Sequence, residues 1–142
     1  MALTIDISQA VGELNLILAR TAALEPFMQA VGQFEASKAI HRILELKQDP
    51  DDASWAPWRE STRTSREKKG NVGQGLLWDT GTLLHSFEIE AGMDDVVIGT
   101  PTEYAGYLQS GTGRMEARPF LGWDERDYPA IEAMLIAHLE GL

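Results

Sequence analysis

The side chains that could carry catalysis or bind a metal are few in this sequence, and their spacing favours neither role. The three histidines are His41, His85 and His138, and none stands at metal-ligand spacing from another or from a nearby acid. The sequence has no cysteine, which excludes disulfide bonds, thiolate nucleophiles and cysteine-based zinc sites. We therefore expect no metal site and no cofactor.

Two pairs of acids, Asp51/Asp52 and Asp94/Asp95, are the remaining candidates for acid–base chemistry. Both pairs occupy predicted turns, where aspartate commonly bonds the local backbone, and nothing around them predicts the burial that would raise a carboxyl pKa. The "GTGR" stretch lacks the lysine and hydroxyl of a phosphate-binding loop. We expect a protein that is not an enzyme, with a hydrolase using Asp94 and Asp95 as the least supported alternative.

Charge is distributed unevenly along the 142 residues, whose net charge is −10. Residues 59–69 contain five basic and two acidic side chains, so this stretch carries +3 and the rest of the chain −13. Trp55 and Trp58 lie just before it. Tryptophan and arginine are enriched at the centres of protein interfaces, so the pattern predicts an arm that contacts a partner protein. A nucleic-acid contact through the same stretch is the alternative, although the acidic remainder would repel phosphates.

The elements that would position these residues indicate one α+β domain over residues 1–142. We predict N-terminal helices and a C-terminal helix packed on a small antiparallel sheet, with an extended loop or arm at 48–75. The first half of the chain is predicted to form a strand at 3–8 and helices at 9–25 and 26–47. After the loop we predict a short helix capped by Asp79 or Thr80, a hairpin at 86–91 and 96–99, and a helix at 100–111 whose inner face is Tyr104, Tyr107 and Leu108. A third extended piece at 115–121 and a helix capped by Asp127 complete the predicted elements.

The stretch "SGTGRMEARPFLGW" combines two kinds of backbone. Residues 110–114 should end a helix and form a flexible link, because glycine accepts left-handed or variable conformations. Residues 117–122 should be extended, with Pro119 restricting φ and with Phe120 and Leu121 as core or interface anchors.

Membrane association is not predicted. No stretch approaches the ~18 uninterrupted apolar residues of a membrane span, and the N-terminus lacks the pattern of a signal peptide. We expect synthesis in a cytoplasm.

Four stretches together resemble the phage virion morphogenesis family, the tail completion proteins of Mu-like and related phages. They are "DPDDASWAPW", "LLWDTGTLLHSF", "DDVVIGTPTEYAGYLQSGTG" and "ARPFLGW", and the resemblance covers roughly residues 8 to 140. Trp58 departs from the family pattern, which more often has a smaller aliphatic residue there.

The resemblance implies a structural protein of the virion neck, made in the bacterial host cytoplasm, that completes the tail or joins tail to head. It implies a ring of copies around the DNA channel, a hexamer being favoured over a dodecamer, through which DNA passes without specific binding. Neighbouring neck, tail-tube or head-completion proteins would be its other partners, and a tail terminator is the alternative role.

Within that reading, Tyr104, Tyr107 and Phe120 would support the sheet, and Arg118 would pair with a carboxylate or contact a neighbouring subunit. The residues predicted at the inter-subunit or inter-ring interface are Trp55, Trp58, Arg59, Arg63, Arg66, Lys68, Lys69, Arg114, Arg118 and Phe120.

Overall fold

The computed structural model describes residues 3–6, 8–70, 72, 75–77, 81–93 and 95–141. Its elements in chain order are α1 (Ser8–Thr21), α2 (Glu25–His41), α3 (Glu60–Lys68), β1 (Glu88–Ala91), β2 (Val96–Gly99), α4 (Ala105–Ser110) and α5 (Tyr128–Glu140). A π-helical turn (Arg42–Leu46) extends α2, and a 3-10 turn (Glu125–Asp127) precedes α5. The predicted α+β class is confirmed, and within the described residues the sheet has two antiparallel strands.

Helix α2 is the centre of the fold, since the hairpin β1–β2 and α5 both pack against it. Its side chains Phe27, Val31 and Ala39 are buried. Gly32 allows the hairpin to approach closely, because a Cβ there would come within 2.4 Å of Cγ2 of Ile89. The hairpin was predicted at 86–91 and 96–99; its strands form at 88–91 and 96–99, and their antiparallel pairing runs from Glu88 with Gly99 to Ala91 with Val96.

The main apolar core lies at the end of α2 and beneath α4. Its fully buried members come from five different parts of the chain, so no single element forms it alone. They are Ile43, Trp55, Leu83, Leu84, Ala105 and Phe120. The rings of Phe87 and Phe120 meet edge to face with centroids 6.0 Å apart, a favoured aromatic geometry.

Helix α1 is held mainly by α5. Arg20 Nη1 donates to the carbonyl of Leu139 at 2.6 Å, and α1 has no buried side chain. The strand predicted at 3–8 is wrong for residues 3–6, which form no strand, while Ile7 lies outside the described residues. The backbone N–H of Ser8 donates to Asp6 Oδ1 at 2.9 Å, so Asp6 supplies the side-chain oxygen at this helix start, where we predicted Ser8.

The loop predicted at 48–75 contains a helix, α3, so the prediction is wrong for residues 60–68. The sequence "ESTRTSREK" has no apolar stripe, and helix prediction from periodicity depends on one. Glu60 in the first turn and Arg66 and Lys68 in the last turn stabilise this helix by complementing its dipole.

Helix α4 begins at Ala105, five residues after the predicted cap at Thr100. Tyr104 thus lies before the helix, and Ala105 is buried while Tyr104 and Tyr107 are exposed. The inner face predicted for the two tyrosines is therefore wrong. Gly111 does end the helix, with φ +74°. The predicted caps Asp79 and Thr80 lie outside the described residues.

Candidate functional site

The extended segment 118–122 is fixed to α4 by one side chain, Gln109. The Oε1 atom of Gln109 accepts hydrogen bonds from the backbone N–H groups of Phe120 at 3.1 Å and Leu121 at 3.2 Å. Its Nε2 donates to the carbonyl of Leu121 at 2.6 Å. An amide side chain thus satisfies backbone groups that a neighbouring strand would otherwise bind. The predicted third piece is not part of the sheet for this reason.

Two more side chains bind carbonyls of the same segment. Trp55 Nε1 donates to the carbonyl of Pro119 at 2.8 Å, and Arg42 Nη1 donates to that of Phe120 at 3.1 Å. Trp55 and Phe120 are only 6% and 2% exposed. These two residues, predicted at an interface between subunits, lie in the core of the chain.

Arg118 points back to the segment that follows Trp55. Its Nε donates to the carbonyl of Ala56 at 2.7 Å and its Nη2 to that of Pro57 at 2.9 Å. Burial lowers the pKa of this guanidinium. Arg118 was predicted to pair with a carboxylate or contact a neighbour, but the hydrogen bonds it donates within the described residues go to backbone carbonyls.

A cleft of about 390 Å³ opens between α3, α4 and the glycine-containing link. Among the described residues, its charged lining consists of one acid, Glu116, and four arginines: Arg59, Arg66, Arg114 and Arg118. The cleft is therefore positive in a chain whose net charge is −10. Such a site attracts carboxylate or other anionic groups.

Apolar side chains line the same cleft. Leu83, Leu108 and Met115 contribute to it, and Trp58 stands at its α3 side. The guanidinium carbon of Arg66 lies 4.8 Å from the Trp58 ring centroid, a cation–π contact that orients both side chains. A cleft with apolar walls and several guanidinium groups can bind a segment that carries both apolar and acidic side chains.

The structure brings together five of the ten residues predicted at an interface, since Trp58, Arg59, Arg66, Arg114 and Arg118 all line the cleft. The other exposed members, Arg63, Lys68 and Lys69, lie on or just after α3. Contact of any of them with a neighbour stays a prediction. Sequence reasoning missed Gln109 and Arg42, although a polar side chain nine residues before the "RPFL" stretch was a visible signal for the first.

A buried carboxyl pair lies where α2 meets the start of α5. Glu35 is 8% exposed and Asp127 5% exposed, and Lys38 Nζ forms an ion pair with Asp127 Oδ1. Burial, followed by the neighbouring Asp127 carboxylate, raises the pKa of Glu35 to about 7. Asp127 stands at the start of α5 as predicted, but its side chain makes no capping hydrogen bond there. It faces the lysine of α2 instead.

The histidines and paired acids have local partners. His85 Nδ1 lies 2.8 Å from the carbonyl of Gly81, and His138 Nε2 lies 3.1 Å from that of Arg20. Asp52 accepts from Arg126 Nη1 at 2.6 Å, and this hydrogen bond lowers the pKa of Asp52. Of the pair Asp94/Asp95, only Asp95 can be placed, because Asp94 lies outside the described residues.

Two further observations concern the described part of the chain. No three histidine, aspartate or glutamate side chains are grouped there so as to hold a metal ion. None of the helices in that part combines the length and the apolar character that crossing a membrane requires.

Comparison with known proteins gives a consistent result. The model of the phage virion morphogenesis family matches residues 5–140. The chain is 32% identical over 102 residues to Mu-like prophage FluMu G protein 1 of Haemophilus influenzae, covering 71% of this chain and 70% of that protein. It is 31% identical over 96 residues to the putative capsid assembly protein G of Escherichia phage Mu, covering 61% and 62% of the two chains. No solved structure matches. Because the family model spans nearly the whole sequence, the chain belongs to the phage virion morphogenesis family.

Proposed function

We propose that the protein is a structural component of a tailed-phage neck, where it completes the tail or joins tail to head as one subunit of a ring around the DNA channel. Membership of a virion morphogenesis family supports a role in building the particle. The observation that carries the ring is the charge arrangement: a positive cleft and a basic helix stand on a chain with net charge −10. A ring needs two complementary surfaces on every subunit, and opposite charges supply them.

The acidic remainder of the chain, outside residues 59–69, suits the wall of a DNA channel as well. Carboxylates facing the lumen would repel phosphates and let DNA slide without binding. The protein would then act through its shape and contacts, with no reaction to catalyse, and no specific DNA contact would be required.

A nucleic-acid-binding accessory role is the second candidate, because Arg63, Lys68 and Lys69 are exposed around α3. The positions of the two tryptophans, which would have to stack on bases in such a role, weaken this candidate. Trp55 is buried against the carbonyl of Pro119, and Trp58 is half-buried beside Arg66. Retardation of a labelled duplex in a gel at physiological salt would support this candidate.

Electron microscopy of particles assembled without this protein tests the neck role. Filled heads and finished tails that remain separate would support joining. Abnormally long tails would instead assign the protein to tail termination. Normal, infectious particles would refute a role at the neck.

A further inference from the structure

The segment Leu3–Asp6 exposes apolar side chains that the described chain does not cover. Leu3 is 86% and Ile5 76% exposed. The two residues are two positions apart in non-helical backbone, so an extended conformation places both on the same side. This alternation is typical of a strand, yet the segment pairs with no strand among the described residues.

Helix α1, which carries this segment, is itself open to solvent. Its tertiary contacts with other elements are with α5 alone, and none of its side chains is buried. Its exposed apolar side chains are Val11, Leu14, Leu16, Ile17 and Leu18. Val11, Leu14 and Leu18 share one face of the helix by their spacing, and exposed apolar faces mark sites of protein contact. The N-terminal region therefore projects a partner-binding surface.

The positive cleft has the chemistry that complements this segment. The half-buried side chains Leu108 and Met115 line it with apolar surface, and Arg59 and Arg114 are exposed at it. Neither of these two arginines forms an ion pair with a described carboxylate. The cleft thus offers apolar contacts together with cations that can meet an acidic group.

The edge of the hairpin β1–β2 could also accept an extended segment, but the charge at this edge disfavours the segment that carries Asp6. Glu88 and Glu90 of β1 are exposed beside its edge, and they would repel Asp6. Asp6 uses Oδ1 to accept from the N–H of Ser8, and its exposed carboxylate can still approach a guanidinium. Charge complementarity therefore favours the cleft.

We propose that the Leu3–Asp6 segment of one copy binds in the arginine-lined cleft of the next copy, with Leu3 and Ile5 on the apolar lining and Asp6 against Arg59 and Arg114. The proposal rests on the ring proposed above and names its subunit contact. The contact is heterologous, because each copy contributes its segment to one neighbour and its cleft to the other. Repetition of such a contact closes a ring when the rotation per subunit allows it.

The test uses the full-length chain and two double variants. The segment variant is Leu3→Asp with Ile5→Asp, and the cleft variant is Arg59→Glu with Arg114→Glu. All four side chains are exposed, so circular dichroism should show both variants folded. Light scattering after size exclusion should give an oligomer for the unchanged protein and a monomer for each variant alone.

Mixing the two variants in equal amounts is the decisive step. The cleft variant keeps a working segment and the segment variant keeps a working cleft, so one contact forms and growth stops at a heterodimer. Matched controls are Thr4→Asp, which alternates to the other side of the segment, and Arg63→Glu, which changes an exposed arginine of α3 outside the cleft. Both controls should assemble as the unchanged protein does.

Binding of a labelled peptide of residues 1–8 gives an independent readout. Fluorescence anisotropy should show that the peptide binds the segment variant, and that it binds the cleft variant at least about 100-fold more weakly, because both arginine contacts with Asp6 are replaced by charge repulsion. Oligomers that persist in either double variant, absence of the heterodimer, or equal peptide binding to both variants would overturn the proposal. Persistent oligomers would leave the ring in place and refute only this contact, whereas the particle experiment above tests the neck role separately.

Discussion

Replacing Glu35 by glutamine tests the buried carboxyl pair at the junction of α2 and α5. In the folded chain Glu35 is 8% exposed and faces Asp127, which is ion-paired with Lys38. Protonated Glu35 can donate a hydrogen bond to the Asp127 carboxylate. Glutamine has nearly the same shape, can donate the same bond and never becomes charged, so Glu35→Gln imitates the protonated acid at every pH.

The size of the effect follows from the raised pKa. Glu35 has a pKa of about 7 in the folded chain against an ordinary value of 4.5. At about 1.4 kcal/mol per pKa unit, this pKa difference corresponds to a free-energy difference of at most about 3 kcal/mol. Because the folded state binds this proton more tightly, the stabilising contribution is complete below pH 4.5 and is lost as pH rises through 7. At pH 8, Glu35→Gln should therefore raise the free energy of unfolding by up to about 3 kcal/mol.

Chemical denaturation at pH 5, 6, 7 and 8 measures the free energy of unfolding of the unchanged protein and of Glu35→Gln. The unchanged protein should lose more stability than Glu35→Gln between pH 5 and 8, and the gap should widen up to about pH 7 and then level off. Glu132→Gln, at an exposed position of α5, is the control and should follow the unchanged protein. Parallel pH profiles for the unchanged protein and Glu35→Gln would refute the reasoning, since they would mean that Glu35 titrates normally in the folded chain.

Three further substitutions test how segment 118–122 and the end of α4 are held, by the same denaturation assay. Gln109→Ala should lower the free energy of unfolding by about 2–4 kcal/mol, because it leaves backbone groups without partners; a loss below 0.5 kcal/mol, on the scale of an ordinary surface change, would contradict this role. Trp55→Phe should cost about 1–3 kcal/mol, since the carbonyl of Pro119 loses its donor, and an unchanged value would show that the indole N–H is dispensable. Gly111→Ala should cost more than about 1 kcal/mol, because its φ is +74° and a Cβ would lie 2.7 Å from a backbone nitrogen. The control Gly12→Ala, in a helix with open space around it, should instead add about 1 kcal/mol, and equal effects of the two glycine changes would refute the strain argument.

Elements with strong periodic patterns were predictable from sequence. Helix α2 and the hairpin β1–β2 carry apolar stripes at helical and strand spacing, and Gly111 marks the end of α4. Helix α3 was missed because it has no apolar stripe to detect. The start of α4 was placed too early, because the signals at Thr100 and Pro101 resemble a helix cap while the chain turns there without entering a helix.

The partners of extended segments were not predictable, because alternation shows that a segment is extended but not what it binds. Residues 3–6 were predicted to be extended from their alternation and residues 118–122 from Pro119, and neither signal identifies a partner. The first segment is exposed, and the second is held by Gln109, Trp55 and Arg42. For the same reason the burial of Trp55 could not be anticipated. The tryptophan- and arginine-rich stretch around it is typical of an interface, and only the fold shows that the carbonyl that Trp55 binds belongs to its own chain.

The close approach at Gly32 has a mechanical consequence. The hairpin contacts α2 with no room for even a methyl group, so the two strands cannot slide along the helix without steric collision. A push or pull on the hairpin from outside must displace α2 with it. Glu35 lies one turn further along that helix, so a load borne by the hairpin would reach the contact between Glu35 and Asp127 directly.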